Sequence, residues 1–171
     1  MIFLEKSELI VKNKSAFISL LEDADRDFKF KYDRSTVEKY SSYNIFQATS
    51  PSSLMYSLLS EVKSHIHKYI GQQDLWIQSW LNVNQYPKLI IEHKHSFPWH
   101  GYITIDPKQT KTVFENFEIK NEPGQIYFGR GDILHKVVAT EPFEGNRLTI
   151  GFDVTNIPDV KTNVEGFIPL F

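Results

Sequence analysis

Four of the six histidines fall in the second half of the chain. Three lie within His93-Lys94-His95-Ser96-Phe97-Pro98-Trp99-His100, and the fourth is His135. On a β-strand, residues two apart project to the same side, so Ile91, His93 and His95 are expected to share one face while Glu92 and Lys94 take the other. Two imidazoles then converge. A divalent metal needs a third ligand from another strand to complete one face of its coordination sphere, with positions left open for other molecules. His135, just past the turn Gly129 to Asp132, is placed to supply it. Taken singly, a histidine at a strand end is ordinarily a hydrogen-bonded surface residue. His65 and His67 illustrate this: on a helix they stand about 200° apart around the axis and cannot chelate together.

Downstream, across a turn made by Glu144, Gly145 and Asn146, the residues Arg147, Thr149 and Gly151 are expected on one strand face. An arginine inside a barrel must be paired, because an unpaired buried charge is very costly. A dicarboxylate ligand would pair it bidentately, with the Thr149 hydroxyl as a further donor. The plainer alternative is a rim salt bridge from Arg147 to Asp132 or Glu144.

These residues need elements to hold them. Ile2 to Val11 reads as a β segment, Ser15 to Leu21 as a short helix, and Asp23 to Arg34 has no clear period. Ser50 and Pro51 look like the N-cap and first position of a helix. Met55, Leu58, Leu59, Val62, Ile66, Tyr69 and Ile70 follow at helical spacing, and Gly71 stands as the C-cap. After Gly71 the period becomes two. Strands are expected at 75–83, 88–95, 100–105, 112–117, 125–128, 133–139 and 147–154, separated by proline- and glycine-bearing turns. Short strands without crossover helices point to a mainly β fold with flanking helices, an antiparallel barrel or double-sheet jelly roll with a helix packed outside one sheet. We expect one domain over 1–171, in which 1–71 supplies supporting helices and strands and 75–154 the metal-binding core. The tail from Thr155 is polar until Phe167, Ile168, Leu170 and Phe171, which are expected to dock on the body or, in a homodimer, on a second subunit.

Composition narrows the function. At 171 residues with 41% hydrophobic and 14% aromatic content, the chain can bury one substantial core. A formal charge of -2 and a pI near 6.3 give no basic surplus for nucleic acid or an anionic membrane. The lack of cysteine excludes disulfides, cysteine-ligated zinc, iron–sulfur clusters and thiol nucleophiles. No apolar run approaches the ~20 residues of a membrane span, and charged Glu5, Lys6 and Glu8 interrupt the region where a signal peptide would be apolar. A soluble, cytoplasmic protein is expected, with a small-molecule or peptide substrate as its partner.

His-x-His in a strand, a distant His-x-Val and a final Arg-x-Thr together resemble the Fe(II)/2-oxoglutarate-dependent oxygenase superfamily, closest to its prolyl-4-hydroxylase-like and phage-encoded members. The matching pieces are His93-Lys94-His95, His135-Lys136-Val137 and Arg147-Leu148-Thr149, and the likeness covers roughly Trp76 to Val154. It implies a double-stranded β-helix and a hydroxylase that couples oxidative decarboxylation of 2-oxoglutarate to oxidation of an organic substrate, prolyl side chains among them. It also implies His93, His95 and His135 as the catalytic Fe(II) ligands, Arg147 and Thr149 on the distal carboxylate of 2-oxoglutarate, and Trp80 and Asn82 facing the pocket. One departure stands out. His95 occupies the place where the superfamily carries Asp or Glu, so three neutral imidazoles would leave the metal its full charge. The same histidines also resemble a cupin pattern, in which His100 would join His93, His95 and His135 in a four-histidine site; otherwise His100 is a donor just outside the ligand set. A non-catalytic jelly-roll binding protein is the third reading. Phe97, Trp99 and Tyr102 are expected either to shape a substrate entrance or to belong to the core.

Overall fold

The change of hydrophobic period at Gly71 marks a change of architecture. The computed structural model describes residues 2–33, 36, 41–156 and 166–171. Before Gly71 lie β1 (Phe3–Lys6), α1 (Glu8–Lys12), α2 (Lys14–Tyr32), α3 (Ile45–Ala48) and α4 (Ser53–Ile70). After it come β2 (Trp76–Asn84), β3 (Trp99–Asp106), β4 (Thr110–Phe114), β5 (Glu118–Lys120), β6 (Gln125–Arg130), β7 (His135–Ala139), β8 (Arg147–Thr155) and β9 (Phe167–Pro169). A six-stranded antiparallel sheet in the order β1-β6-β3-β8-β2-β9 faces a three-stranded sheet β5-β4-β7. The mainly β, double-sheet jelly roll expected from the strand pattern is the observed fold. Among the described residues no helix is long and apolar enough to cross a membrane.

Helix α4 forms as its sequence dictates, with Met55, Leu58, Val62 and Ile66 making one buried stripe and Gly71 closing it at a positive φ of 98°. Its N-cap is Ser52 rather than Ser50, because the Ser52 side chain is the one that reaches the Met55 amide, at 3.3 Å. Helix α2 runs far beyond the expected Ser15–Leu21. Its inward stripe is Phe17, Leu21 and Asp25, and a buried aspartate breaks the apolar period. Asp25 is tolerated there because Lys29 Nζ donates to it at 2.6 Å and Thr36 Oγ1 at 3.0 Å. The β segment expected over Ile2–Val11 ends at Lys6, since Ser7 caps α1 by accepting from the Ile10 amide.

A second correction concerns Lys88 to His95, which forms no continuous strand. Val137 N donates to Ile90 O at 3.0 Å, His93 and His135 exchange backbone bonds at 2.9 Å, and His95 N donates to Gly131 O at 2.8 Å. The register therefore slips on either side of His93, and a ladder cannot propagate through such slips. One result is that Ile91 turns outward and is 81% exposed instead of sharing the histidines' face. The apolar C-terminus docks on the body: β9 pairs with β2 and Leu170 is buried. The polar tail expected at 157–165 lies outside the described residues.

The large sheet has two different faces. Ile77, Leu81, Ile103, Ile126, Phe128, Leu148, Ile150, Phe152 and Val154 pack outward against α2 and α4 as the main core. The alternate residues of β2, β3 and β8 point between the sheets and line a cavity. Ile150 is fully buried on the helix side of β8, so Ile150→Ala is expected to lower stability by about 2–5 kcal/mol, read as a drop in the chemical denaturation midpoint without a change of slope.

Candidate metal and anion site

The cavity encloses about 460 Å³ between the two sheets. The segment before β3, together with β7, supplies its histidines, and the inner face of β8 supplies its charges. His93, His95 and His135 each offer a ring nitrogen, and these nitrogens lie within 4.8 Å of one another. The backbone bonds between His93 and His135 fix their spacing, so the irregular segment is still tied where the site requires it.

Each imidazole is oriented through Nδ1. His93 Nδ1 donates to Ile91 O at 2.8 Å and His135 Nδ1 to Ile133 O at 3.0 Å. His95 Nδ1 donates to the Asp153 carboxylate, 3.0 Å from Oδ1 and 3.2 Å from Oδ2. Since carbonyls and carboxylates only accept, Nδ1 carries the proton in each ring and Nε2 holds the lone pair. His95 Nε2 is buried and has no partner. Burial pushes His135 down to about 3, helped by the neighbouring His100 ring, and pushes His93 below the usual histidine range. Both rings are therefore neutral at physiological pH, with lone pairs open to a metal. Trp80 stacks on His95 at 5.8 Å between ring centroids. It fits there because residue 151 is glycine, where a Cβ would fall 2.6 Å from the indole.

His100 does not share this grouping. With His95 and Asp153 it forms a second cluster, donating from Nδ1 to Asp153 Oδ1 at 3.0 Å, and its ring stacks on His95 at 3.6 Å. Burial holds His100 down to about 4. For Asp153 burial acts upward, but the hydrogen bonds from His100 and His95 outweigh it, so the carboxyl stays below its ordinary range and is ionised.

Arg147 lies at the other end of the cavity wall and is only 2% exposed. Its guanidinium reaches neutral oxygens alone: Asn84 Oδ1 at 3.2 Å, Thr149 Oγ1 at 3.3 Å and Thr110 Oγ1 at 3.4 Å. Neither Asp132 nor Glu144 pairs with it; Asp132 is bound by Arg130. Burial lowers Arg147 to about 10, which leaves it cationic at neutral pH. The buried Tyr102 hydroxyl lines the same cavity. The guanidinium thus faces a polar space with no counter-charge among the described residues.

Trp80, Asn82, Arg147, Thr149 and Gly151 line the cavity as expected, and Asn82 Nδ2 donates to Thr149 Oγ1 at 3.4 Å. Phe97 and Tyr102 line it too, whereas Trp99 packs against the main core. Sequence reading missed Asp153 and Asn84. Both were within reach of the alternation: Asp153 continues the series Arg147, Thr149, Gly151, and Asn84 continues Trp80, Asn82.

No protein-family model matches the sequence, and no curated protein matches it either. Solved structures do match. The non-heme monooxygenase ThoJ in a nickel complex aligns over 99% of this chain and 75% of its own, with a TM-score of 0.65 and 10% identity. The non-heme alpha ketoglutarate dependent carbocyclase SnoK from nogalamycin biosynthesis covers 90% of this chain and 78% of its own, with a TM-score of 0.63 and 11% identity. The epimerase SnoN in complex with Fe3+, alpha ketoglutarate and nogalamycin RO covers 92% and 79%, with a TM-score of 0.56 and 11% identity. In a second SnoN structure the match spans 58% of that chain.

The titration of the site has a measurable consequence for the metal-free protein. His100 and His135 are held to about 4 and about 3 when folded, against roughly 6.5 when unfolded. In that window the unfolded state binds more protons, so stability is full above pH ~6.5 and falls as pH drops toward ~4. Thermal midpoints of the chelator-treated protein are expected to decline steadily across this range, and less steeply in His135→Gln. Taken with the strand order, the alignments show that this chain has the double-stranded β-helix fold.

Proposed function

We propose that this chain is a non-haem Fe(II) and 2-oxoglutarate dependent dioxygenase that hydroxylates an organic substrate, with residues 1–171 acting as one domain. The observation that carries this reading is the pairing, in one cavity, of three imidazoles whose ring nitrogens lie within 4.8 Å of one another with a buried arginine that lacks a carboxylate partner among the described residues. A divalent cation fits the first and a carboxylate fits the second. A 2-keto dicarboxylate joins both in one molecule.

In this reading His93, His95 and His135 hold the iron. Arg147 and Thr149 hold the distal carboxylate of 2-oxoglutarate. The Thr149 hydroxyl accepts from Asn82 and Arg147, which leaves its own proton free to donate to that carboxylate. Tyr102 supplies a further buried hydroxyl. When bound, iron and 2-oxoglutarate together supply the oxidant, with O₂ consumed, the keto acid decarboxylated to succinate, and a substrate C–H converted to C–OH. The chain's share is orientation and exclusion of water: Trp80, Phe97 and Val137 wall the cavity, and exposed Ile91, Lys94 and Ser96 mark its mouth. The substrate, a small metabolite or a peptidyl side chain such as prolyl, enters there. The competing four-histidine cupin reading needs His100 as a ligand, and His100 groups with His95 and Asp153 rather than with His93 and His135.

Anaerobic addition of Fe(II) and then 2-oxoglutarate is expected to produce the weak visible charge-transfer band of keto-acid chelation. Arg147→Ala should keep the iron yet weaken 2-oxoglutarate binding by about 2–5 kcal/mol, the cost of breaking a buried charged pair. His100→Ala should retain iron; its loss there would favour the cupin site. Iron binding with no band at saturating 2-oxoglutarate would end the oxygenase reading.

A further inference from the structure

The three presumptive ligand imidazoles are not anchored alike. His93 and His135 donate from Nδ1 to neutral backbone carbonyls, whereas His95 donates to a carboxylate. His95 is also the residue standing where the superfamily pattern has an acid. We propose that Asp153 supplies, through His95, the negative charge that a directly bound carboxylate supplies in the His-x-Asp pattern. It is a positioning residue for the metal, and the inference rests on the metal-site reading above.

Three observations converge on this. Asp153 is 3% exposed, and the His95 and His100 imidazoles are the side chains that hydrogen-bond its carboxylate. The two imidazole hydrogen bonds outweigh burial and keep this carboxyl ionised, so a negative charge stands beside the His95 ring. His95 Nε2, on the far side of the same ring, is buried without a partner. A metal at Nε2 would supply the missing partner, and the carboxylate on Nδ1–H makes that nitrogen more basic. His100 fixes the arrangement. It sits opposite Asp153 in the β3–β8 register, shares Oδ1, and stacks on His95 at 3.6 Å with 9° between the rings. Both carboxylate oxygens are thereby engaged by imidazoles, which directs the carboxylate at the His95 ring.

The test uses metal alone, so that it does not depend on 2-oxoglutarate. Co(II) and Fe(II) affinities are measured anaerobically for wild type and Asp153→Asn, and again in a His95→Asp background, where the charge is returned to the metal directly. Asp153→Asn should weaken metal binding roughly ten- to a hundredfold in wild type. In the His95→Asp background it should cause no loss, or a gain, since two facing carboxylates repel. The difference between the two backgrounds is the readout that a purely structural role would not move. Equal losses in the two backgrounds, or no loss in wild type, would overturn the proposal. Should the variant not fold, the Zn(II)-loaded wild type still decides: the His95 Nδ1 proton should resonate furthest downfield of the three ligand imidazoles, and indistinguishable signals would count against it. Wild type that binds no divalent metal sinks both this proposal and the oxygenase reading. Metal binding without a 2-oxoglutarate band sinks only the latter.

Discussion

Strand β8 carries two buried charges of opposite sign that cannot neutralise each other. Arg147 and Asp153 share its inner face, six positions apart, which at ~3.3 Å per residue separates their backbones by roughly 20 Å. Each is buried; Asp153 is held ionised by hydrogen bonds from His95 and His100, whereas Arg147 has no oppositely charged side chain among the described residues. Such an arrangement is expensive for the folded chain alone. It becomes economical when the cavity between them receives a cation toward the Asp153 end and an anion at the Arg147 end. The chemistry proposed for the site follows from that polarity, and the remainder of the fold maintains it.

The maintenance is carried by the other face of the same strand. Every residue of β8 is buried, and Leu148, Ile150, Phe152 and Val154 are clamped between neighbouring strands and helices α2 and α4. Because the side-chain period of a strand is two, a slip of one residue would drive four apolar side chains into the polar cavity and both charges into the core. The apolar core therefore sets the register that places Arg147, Thr149, Gly151 and Asp153. Burial of one face supplies the stability, while the other face is left free to be chemically unfavourable in the absence of ligands.

Much of this was legible in the sequence. The change from helical to strand period at Gly71, the pairing of His93 with His95 and the Arg147-Thr149 spacing all depend on local geometry. They survive without knowledge of tertiary contacts. What stayed hidden depended on partners far along the chain. The length of α2 was masked by Asp25, whose burial is permitted only by Lys29 and Thr36. Asp153 looked like an ordinary polar residue until His95 and His100, more than fifty residues earlier, were brought to its two oxygens. Lys88 to His95 alternated like a strand but bonds to its neighbours at slipped positions, a property of the β7 partner and of the Gly131 turn rather than of the segment itself.

That irregular segment also explains how a rigid scaffold can host a variable entrance. A regular strand over Lys88–His95 would have sealed the small sheet and buried Ile91. Instead the backbone is tied at Ile90, His93 and His95, and the residues between those ties turn outward at the cavity mouth. The ties hold the imidazoles at fixed spacing, so side chains at the mouth can change without displacing the ligand nitrogens. In the proposed reading the imidazoles are set by bonds to β7 and β8, and the mouth is formed by residues that take no part in those bonds. On the proposed function, this separation would let one site chemistry serve different substrates, with selectivity resting on the exposed mouth residues Ile91, Lys94 and Ser96.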